Sequence, residues 1–225
     1  MSATTSAEPG FATRRLGEIA ATLPGATAVL RRHKLDFCCG GQATLGEVAT
    51  LRGLSLDALE QELGEVAALA RKATPPESTE ELIGLIETRY HEAHRRELPE
   101  LIRLARRVEA VHREHPATPA GLADLLETTL AELQDHMSKE EQVLFPLMRR
   151  GGHPMIAQPI GMMLAEHEDH GNYLRELERL TSDFTLPAEA CSTWRALYAG
   201  GRKFADDLVE HIHTENNILF PRFTA

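Results

Sequence analysis

Two stretches of this chain nearly repeat one another: His136 opens HMSKEEQVLFP and His211 opens HIHTENNILFP. Each follows one of two shorter matching motifs, HEAH from His91 and HEDH from His167. The intervals agree as well, since 45 residues separate His91 from His136 and 44 separate His167 from His211. Motifs that recur in order and at one interval mark a duplicated supersecondary unit. The fold must therefore place two equivalent units about an approximate two-fold axis and bring the same His-rich surface of each to that axis.

The unit is a helical hairpin. Apolar residues recur at steps of three and four almost throughout, and no alternating strand pattern is present, so the chain reads as all-α. Four long segments carry the repeat. The first opens with a capping box, Ser78 to Glu81, and runs to about His112. The second is predicted from Thr118, with Pro119 in the first helical position, to about Arg149. The third follows Pro154 or Pro159 and ends near Thr181, and the fourth follows Pro187 and ends near Phe220. Segments of this length with short connections make an antiparallel four-helix bundle. Pro99, inside the first, removes a backbone donor and predicts a bend rather than a break.

Upstream, four shorter helices are expected over Leu16–Leu23, Thr27–His33, Thr44–Arg52 and Ser55–Arg71, with Thr44 and Glu47 as a capping box. Pro24-Gly25, the Cys38-Cys39-Gly40-Gly41 run and Gly53 punctuate them. Two prolines among small polar residues at Ala73–Ser78 mark a linker, so the chain divides into a helical N-terminal domain, 1–76, and the bundle, 77–225.

The stripes that face the bundle interior are not purely apolar. The first reads Ile83, Ile86, Tyr90 or His91, His94, Leu98, Leu101, Ala105, Val108. The second reads Leu122, Leu126, Thr129, Leu133, His136, Glu140, Val143, Leu147, and the third Ile160, Met163, His167, His170, Leu174, Leu177. The fourth reads Trp194, Leu197, Gly201, Phe204, Leu208, His211, Glu215, Ile218. A His and a Glu four apart project from one helix face about a turn apart. A core carboxylate is costly unless it is paired, hydrogen-bonded or bound to a metal. A single buried histidine is most simply a packed core residue. His91, His136, Glu140, His167, His211 and Glu215 arriving together at the axis instead describe a two-metal site, with imidazoles on each ion and the glutamates bridging the pair.

Mixed imidazole and carboxylate donors suit iron, manganese, zinc or copper, and the absence of central thiolates disfavours structural zinc. A zincin helix is excluded because His91 and His94 are three apart, not four. The ferritin-like scheme wants Glu-x-x-His on two helices, and Glu109 with His112 has no counterpart. His94 and His170 sit one step further along their stripes as packing residues or supports, with Glu132 or Glu166 as acceptors for a ligand's other nitrogen. His33, His112, His115, His153 and His213 are assigned to outward faces and helix ends, while Met155, Met162 and Met163 are assigned to core filling.

The constellation resembles the hemerythrin-like di-iron bundle. With its DFCCGG segment and LFP repeats, nearly the whole chain is similar to the Repair of Iron Centres family, which pairs that bundle with an N-terminal ScdA-type domain. The resemblance implies two non-haem iron ions per chain, carboxylate- and oxo-bridged, on His91, His136, Glu140, His167, His211 and Glu215, and a functional vicinal pair at Cys38 and Cys39. It implies repair of iron-sulfur clusters damaged by nitrosative or oxidative stress, with iron donated from a labile centre to damaged or apo iron-sulfur proteins or their assembly scaffold. Oxygen-carrying hemerythrins have a further histidine where this chain has Gly171, and end in His-x4-Asp where this chain has His-x3-Glu. Fewer protein ligands leave open positions for nitric oxide or dioxygen. The alternatives are an enzyme reducing those gases, or a gas- or iron-sensing protein.

Three cysteines cannot form a disulfide framework. Cys38 and Cys39 are expected to be exposed in a turn, suited to thiol redox chemistry, iron handover or nitrosation, and adjacent residues would not easily share one tetrahedral metal. Cys191 is expected to pack. A formal charge of −10 argues against nucleic acid as partner. With no apolar run near the roughly 20 residues of a membrane span and no signal in MSATTSAEPG, the chain is expected to be soluble and cytoplasmic, a monomer or homodimer.

Overall fold

A computed structural model of the chain describes residues 10–23, 25–70 and 78–224. Among them no β-strand forms, apart from an isolated antiparallel bridge between Arg15 and Thr44. The short helices are α1 (Leu16–Thr22), α2 (Ala26–Arg32), α3 (Leu45–Arg52) and α4 (Leu56–Ala70). Both hydrogen bonds of the Thr44–Glu47 capping box are present, and Gly53 closes α3 at φ 64, a conformation that favours glycine. Leu16, Ile19, Leu30, Phe37, Leu45 and Leu63 form the core of this unit. The expected boundary between residues 76 and 77 lies outside the described residues.

The bundle follows. Its first segment is α5 (Thr79–Leu85), a π-helical turn over Ile86–His91, and α6 (Glu92–Val111), which continues through Pro99. The second is α7 (Leu122–Lys139), a π-helical turn over Glu140–Leu144, and α8 (Phe145–Arg149). The third is one helix, α9 (Ala157–Leu180). The fourth is α10 (Ser192–Thr214), a π-helical turn over Glu215–Leu219, and α11 (Pro221–Thr224). Two helices start later than Pro119 and Pro187 suggest. α7 begins after Gly121, and Glu109 reaches across to accept its Ala123 N–H at 3.0 Å. α10 begins after a turn in which Ser182, Asp183 and Phe184 all take positive φ.

The π-helical turns correct the expected stripes. Each inserts one residue into a turn, so the inward register advances by one beyond it. After Glu140 the buried residue is Leu144 and not Val143, which is 53% exposed, and Met148 replaces Leu147 as the fully inward side chain. After Glu215, Leu219 is buried and Ile218 only half-buried. In the first segment the stripe steps by five, from Ile86 to His91. Met155 and Met162 are exposed, so of the three expected core methionines only Met163 is buried.

Two apolar clusters result. Leu98, Leu126, Leu133, Trp194, Phe204 and Leu208 belong to one, and Ile83, Ile86, Leu144, Phe145, Met163 and Leu219 to the other. Along every helix the His and Glu residues fall between these sets, so a polar layer divides the interior. The N-terminal unit docks beside that layer: Asn217 Nδ2 donates to the Phe37 carbonyl at 3.2 Å, and Arg31 donates to the Asp206 carbonyl at 3.0 Å. His213, expected on an outward face, is buried by this docking, with the Phe37 ring edge-on at 5.2 Å.

Candidate metal centre

The structure brings His91, His136, Glu140, His167, His211 and Glu215 into one buried layer. Their donor atoms fall into two overlapping groups: His91, His211 and both glutamates, and His136, His167 and both glutamates. Glu140 Oε2 lies 3.4 Å from His91 Nε2 and 3.5 Å from His136 Nε2, so one carboxylate faces both groups. Glu215 spans them with its two oxygens, Oε1 at 3.2 Å from His211 Nε2 and Oε2 at 3.1 Å from His167 Nε2. Within each group the imidazoles meet nitrogen to nitrogen, at 3.1 Å in both.

The far nitrogens explain why those contacts suit a cation. His136 Nδ1 donates to Glu166 at 2.8 Å, and His167 Nδ1 donates to Asn216 Oδ1 at 2.6 Å. The Asn216 amide is oriented by its own Nδ2, which donates to the Cys38 carbonyl at 3.1 Å. With protons committed to Nδ1, both Nε2 atoms present lone pairs to each other and to carboxylate oxygens. Neither oxygen of Glu140 nor Glu215 Oε2 accepts a hydrogen bond. Lone pairs and carboxylates converging in a dry layer repel unless positive charge lies among them. The donor set fits a metal site.

Duplication extends to the supports. The residue after each glutamate takes the Nδ1–H of an imidazole on another helix: Glu141 from His91 at 2.7 Å, Asn216 from His167 at 2.6 Å. Arg95 holds Glu141 with two bonds of 2.8 and 2.9 Å. Of the two acceptors suggested by the sequence, Glu166 serves and exposed Glu132 does not. Its counterpart in the first copy is Tyr90, which stacks on His211 with ring centroids 5.3 Å apart, and His211 Nδ1 has no hydrogen-bond partner. Glu141 and Asn216 went unrecognised in the sequence, although their shared position in the repeat was visible.

A family model described as the hemerythrin HHE cation binding domain matches residues 85–223, and ScdA_N, described as a domain of unknown function, matches residues 12–67. The chain is 48% identical over 209 residues to the iron-sulfur cluster repair protein YtfE of Dickeya chrysanthemi, covering 92% of this chain and 95% of that one. It is 46% identical over 220 residues to the protein of the same name from Yersinia pseudotuberculosis, covering 94% and 97%. The chain belongs to the hemerythrin-like iron-sulfur cluster repair family. Among the described residues, no helix is long and apolar enough to cross a membrane.

In this family member burial sets the protonation of the centre. It holds the His91 imidazole down at about 3, with neighbouring His211 adding to the effect, and it lowers His136 against the opposing pull of Glu166. Burial and the adjacent Glu215 charge drive Glu140 well above the usual carboxylate range. Burial also pushes Glu215 upward, but His211 and His167 outweigh it and leave that carboxyl well below its ordinary value. His94 and His170 are buried behind the layer, against His211 at 5.4 Å and His136 at 4.8 Å between ring centroids, outside both donor groups.

The cysteine pair abuts the centre. Cys38 is buried, contrary to the expected exposure, because it packs into an apolar cluster of the bundle; Cys39 is half-buried, and its Sγ lies 3.5 Å from the His167 carbonyl. The Cys39 thiol alongside and burial push the Cys38 thiol far upward. Cys191 is half-buried with its Sγ 3.2 Å from His112 Nε2, and His112 packs on Trp194 instead of facing solvent.

Asn216→Ala and Glu166→Ala each lower metal affinity about 10- to 100-fold with the helical content retained, whereas Glu132→Ala leaves it unchanged; chelator competition measures all three. In the metal-free chain His91, His170 and His213 take up protons at about 3, about 3 and about 4, against 6.5 when unfolded. Their folded values are depressed, so unfolding takes up protons as pH falls from 6.5. Stability then declines by up to about 1.4 kcal/mol per pH unit for each such histidine. Urea unfolding of chelator-treated protein at a series of pH values checks this, and a flat profile below 6.5 contradicts it.

Proposed function

We propose that this protein repairs iron-sulfur clusters damaged by nitrosative or oxidative stress, by donating iron from a labile centre of two non-haem iron ions. The observation that carries this reading is the pair of Nε2 atoms of His136 and His167, 3.1 Å apart and bracketed by Glu140 and Glu215, with Glu166 and Asn216 taking the protons on the far side of the rings. Each ion would take two imidazoles and share the two carboxylates. When bound, iron supplies redox-active sites with open positions for a small ligand such as nitric oxide or dioxygen. The chain's own residues hold the donors: Glu141, Glu166 and Asn216 fix three imidazoles, and the apolar clusters keep water from both ends of the layer. His211 has no such acceptor, which supports lability on the His91 and His211 side. The names of the relatives, iron-sulfur cluster repair proteins, support the repair role; in this reading damaged or apo iron-sulfur proteins in the cytoplasm, or their assembly scaffold, are the recipients. In this reading residues 1–76 and 77–225 act as two domains, and Cys38 and Cys39 lie on the recipient's side of the centre.

Metal analysis of the purified protein is expected to give two irons per chain, falling steeply in His136→Ala and Glu215→Ala. Incubation with an apo iron-sulfur protein is expected to move that iron into the recipient. Stoichiometric zinc, iron unchanged in those variants, or iron that never leaves overturns the proposal.

A further inference from the structure

Outside the His and Glu layer, Asp36, Cys38 and Cys39 each offer a donor atom, and these atoms lie within 4.8 Å of one another. Cys38 Sγ is 3.7 Å from Cys39 Sγ and 3.3 Å from Asp36 Oδ1. A tetrahedral cation with metal–sulfur bonds of about 2.3 Å holds two sulfurs about 3.8 Å apart, and a sulfur and a carboxylate oxygen about 3.6 Å apart. The adjacent cysteines, whose neighbourhood in sequence argued against a shared tetrahedral metal, thus stand at nearly the separation of two ligands on one ion.

The bundle fixes the arrangement. Asn216 donates to the Cys38 carbonyl and Asn217 to the Phe37 carbonyl, while the Cys39 N–H donates to Asp36 Oδ1 at 2.9 Å. Gly41 permits the turn, since a Cβ there would stand 2.5 Å from the Phe37 carbonyl oxygen. On its other side the trio lines a groove of about 750 Å3, walled on the bundle side by Gly171, Leu174 and Arg175. The groove is of a size to admit a further ligand, such as water or a thiolate brought by another molecule.

We propose that Asp36, Cys38 and Cys39 form a second metal site, a cradle of two thiolates and one carboxylate for a single divalent cation, whose fourth position faces the groove. Binding forms two metal–sulfur bonds and one metal–oxygen bond, and the two thiol protons pass to water in the groove. No electron changes hands. The site stands one residue's thickness from the main centre, with Cys39 Sγ against the His167 carbonyl. Its use as a waiting position for iron on the way to a recipient's thiolates rests on the repair reading; its existence does not.

Cobalt(II) titration of the full-length protein under reducing conditions tests the site. The expected result is a thiolate-to-cobalt charge-transfer band with the intense visible bands of tetrahedral cobalt, saturating at one cobalt per chain. The His and Glu layer has no thiolate and adds nothing to that band. Cys39→Ser, at a half-buried position, and Cys38→Ser are each expected to abolish it while far-ultraviolet circular dichroism confirms the fold. Asp36→Asn is expected to weaken binding at least about tenfold. Cys191→Ser, His136→Ala and Glu215→Ala are expected to keep it, so loss of the main centre and loss of this site read out separately. No charge-transfer band at saturating cobalt, a band that survives Cys38→Ser with Cys39→Ser, or one abolished by Cys191→Ser overturns the proposal.

Discussion

Two carboxylates and four imidazoles share a layer sealed from water, and the rest of the architecture is arranged around the repulsion among them. An isolated ionised carboxylate in so dry a place costs on the order of tens of kcal/mol, so Glu140 and Glu215 cannot both be charged there without a cation. His91 and His136 do not supply that charge, because burial suppresses their protonation. Both glutamates are fully buried, and along the chain buried leucines flank them, Leu133 and Leu144 on either side of Glu140, Leu208 and Leu219 on either side of Glu215. The helices hold a cage of carboxylate and imidazole donors that fits a cation from outside the chain.

The π-helical turns belong to the same arrangement. Three of the four segments carry one, and in each a candidate ligand stands at its edge: His91 ends the first, Glu140 and Glu215 open the others. A regular helix could point His136 and Glu140 inward, but the residues beyond would then drift from the second apolar cluster. The extra residue restores Leu144 and Leu219 to the interior. It also brings Glu141 and Asn216, next to the bridging positions, within reach of His91 and His167. Irregular backbone of this kind is weaker than α-helix, and its concentration at the polar layer marks where function governs the fold. The two halves are not perfect copies, since Tyr90 stands where Glu166 does and stacks on His211, whose Nδ1 is left without an acceptor.

Much of this was legible in the sequence because duplication and helical period are both one-dimensional signals. The four long segments, the capping boxes at Thr44 and Ser78, and the six residues at the axis all follow from spacing. What spacing cannot reveal is a change of period, so Val143 and Ile218 were read as inward although the inserted residue rotates them outward. Equally hidden was the docking of the N-terminal unit, which depends on side chains distant in sequence. His213 and Cys38 look like surface residues until Phe37 and Asn217 meet across the interface. The close approach at Gly41, where a Cβ would stand 2.5 Å from the Phe37 carbonyl oxygen, is likewise a property of the folded turn and not of the residue spacing.

In the proposed reading two cations, one for each imidazole pair, neutralise the buried glutamates. Anomalous diffraction at the iron absorption edge, from crystals of protein prepared with its iron, addresses it most directly. Two peaks are expected between Glu140 and Glu215, one beside His91 and His211 and the other beside His136 and His167. A single peak, no peak, or peaks only at surface carboxylates would contradict it.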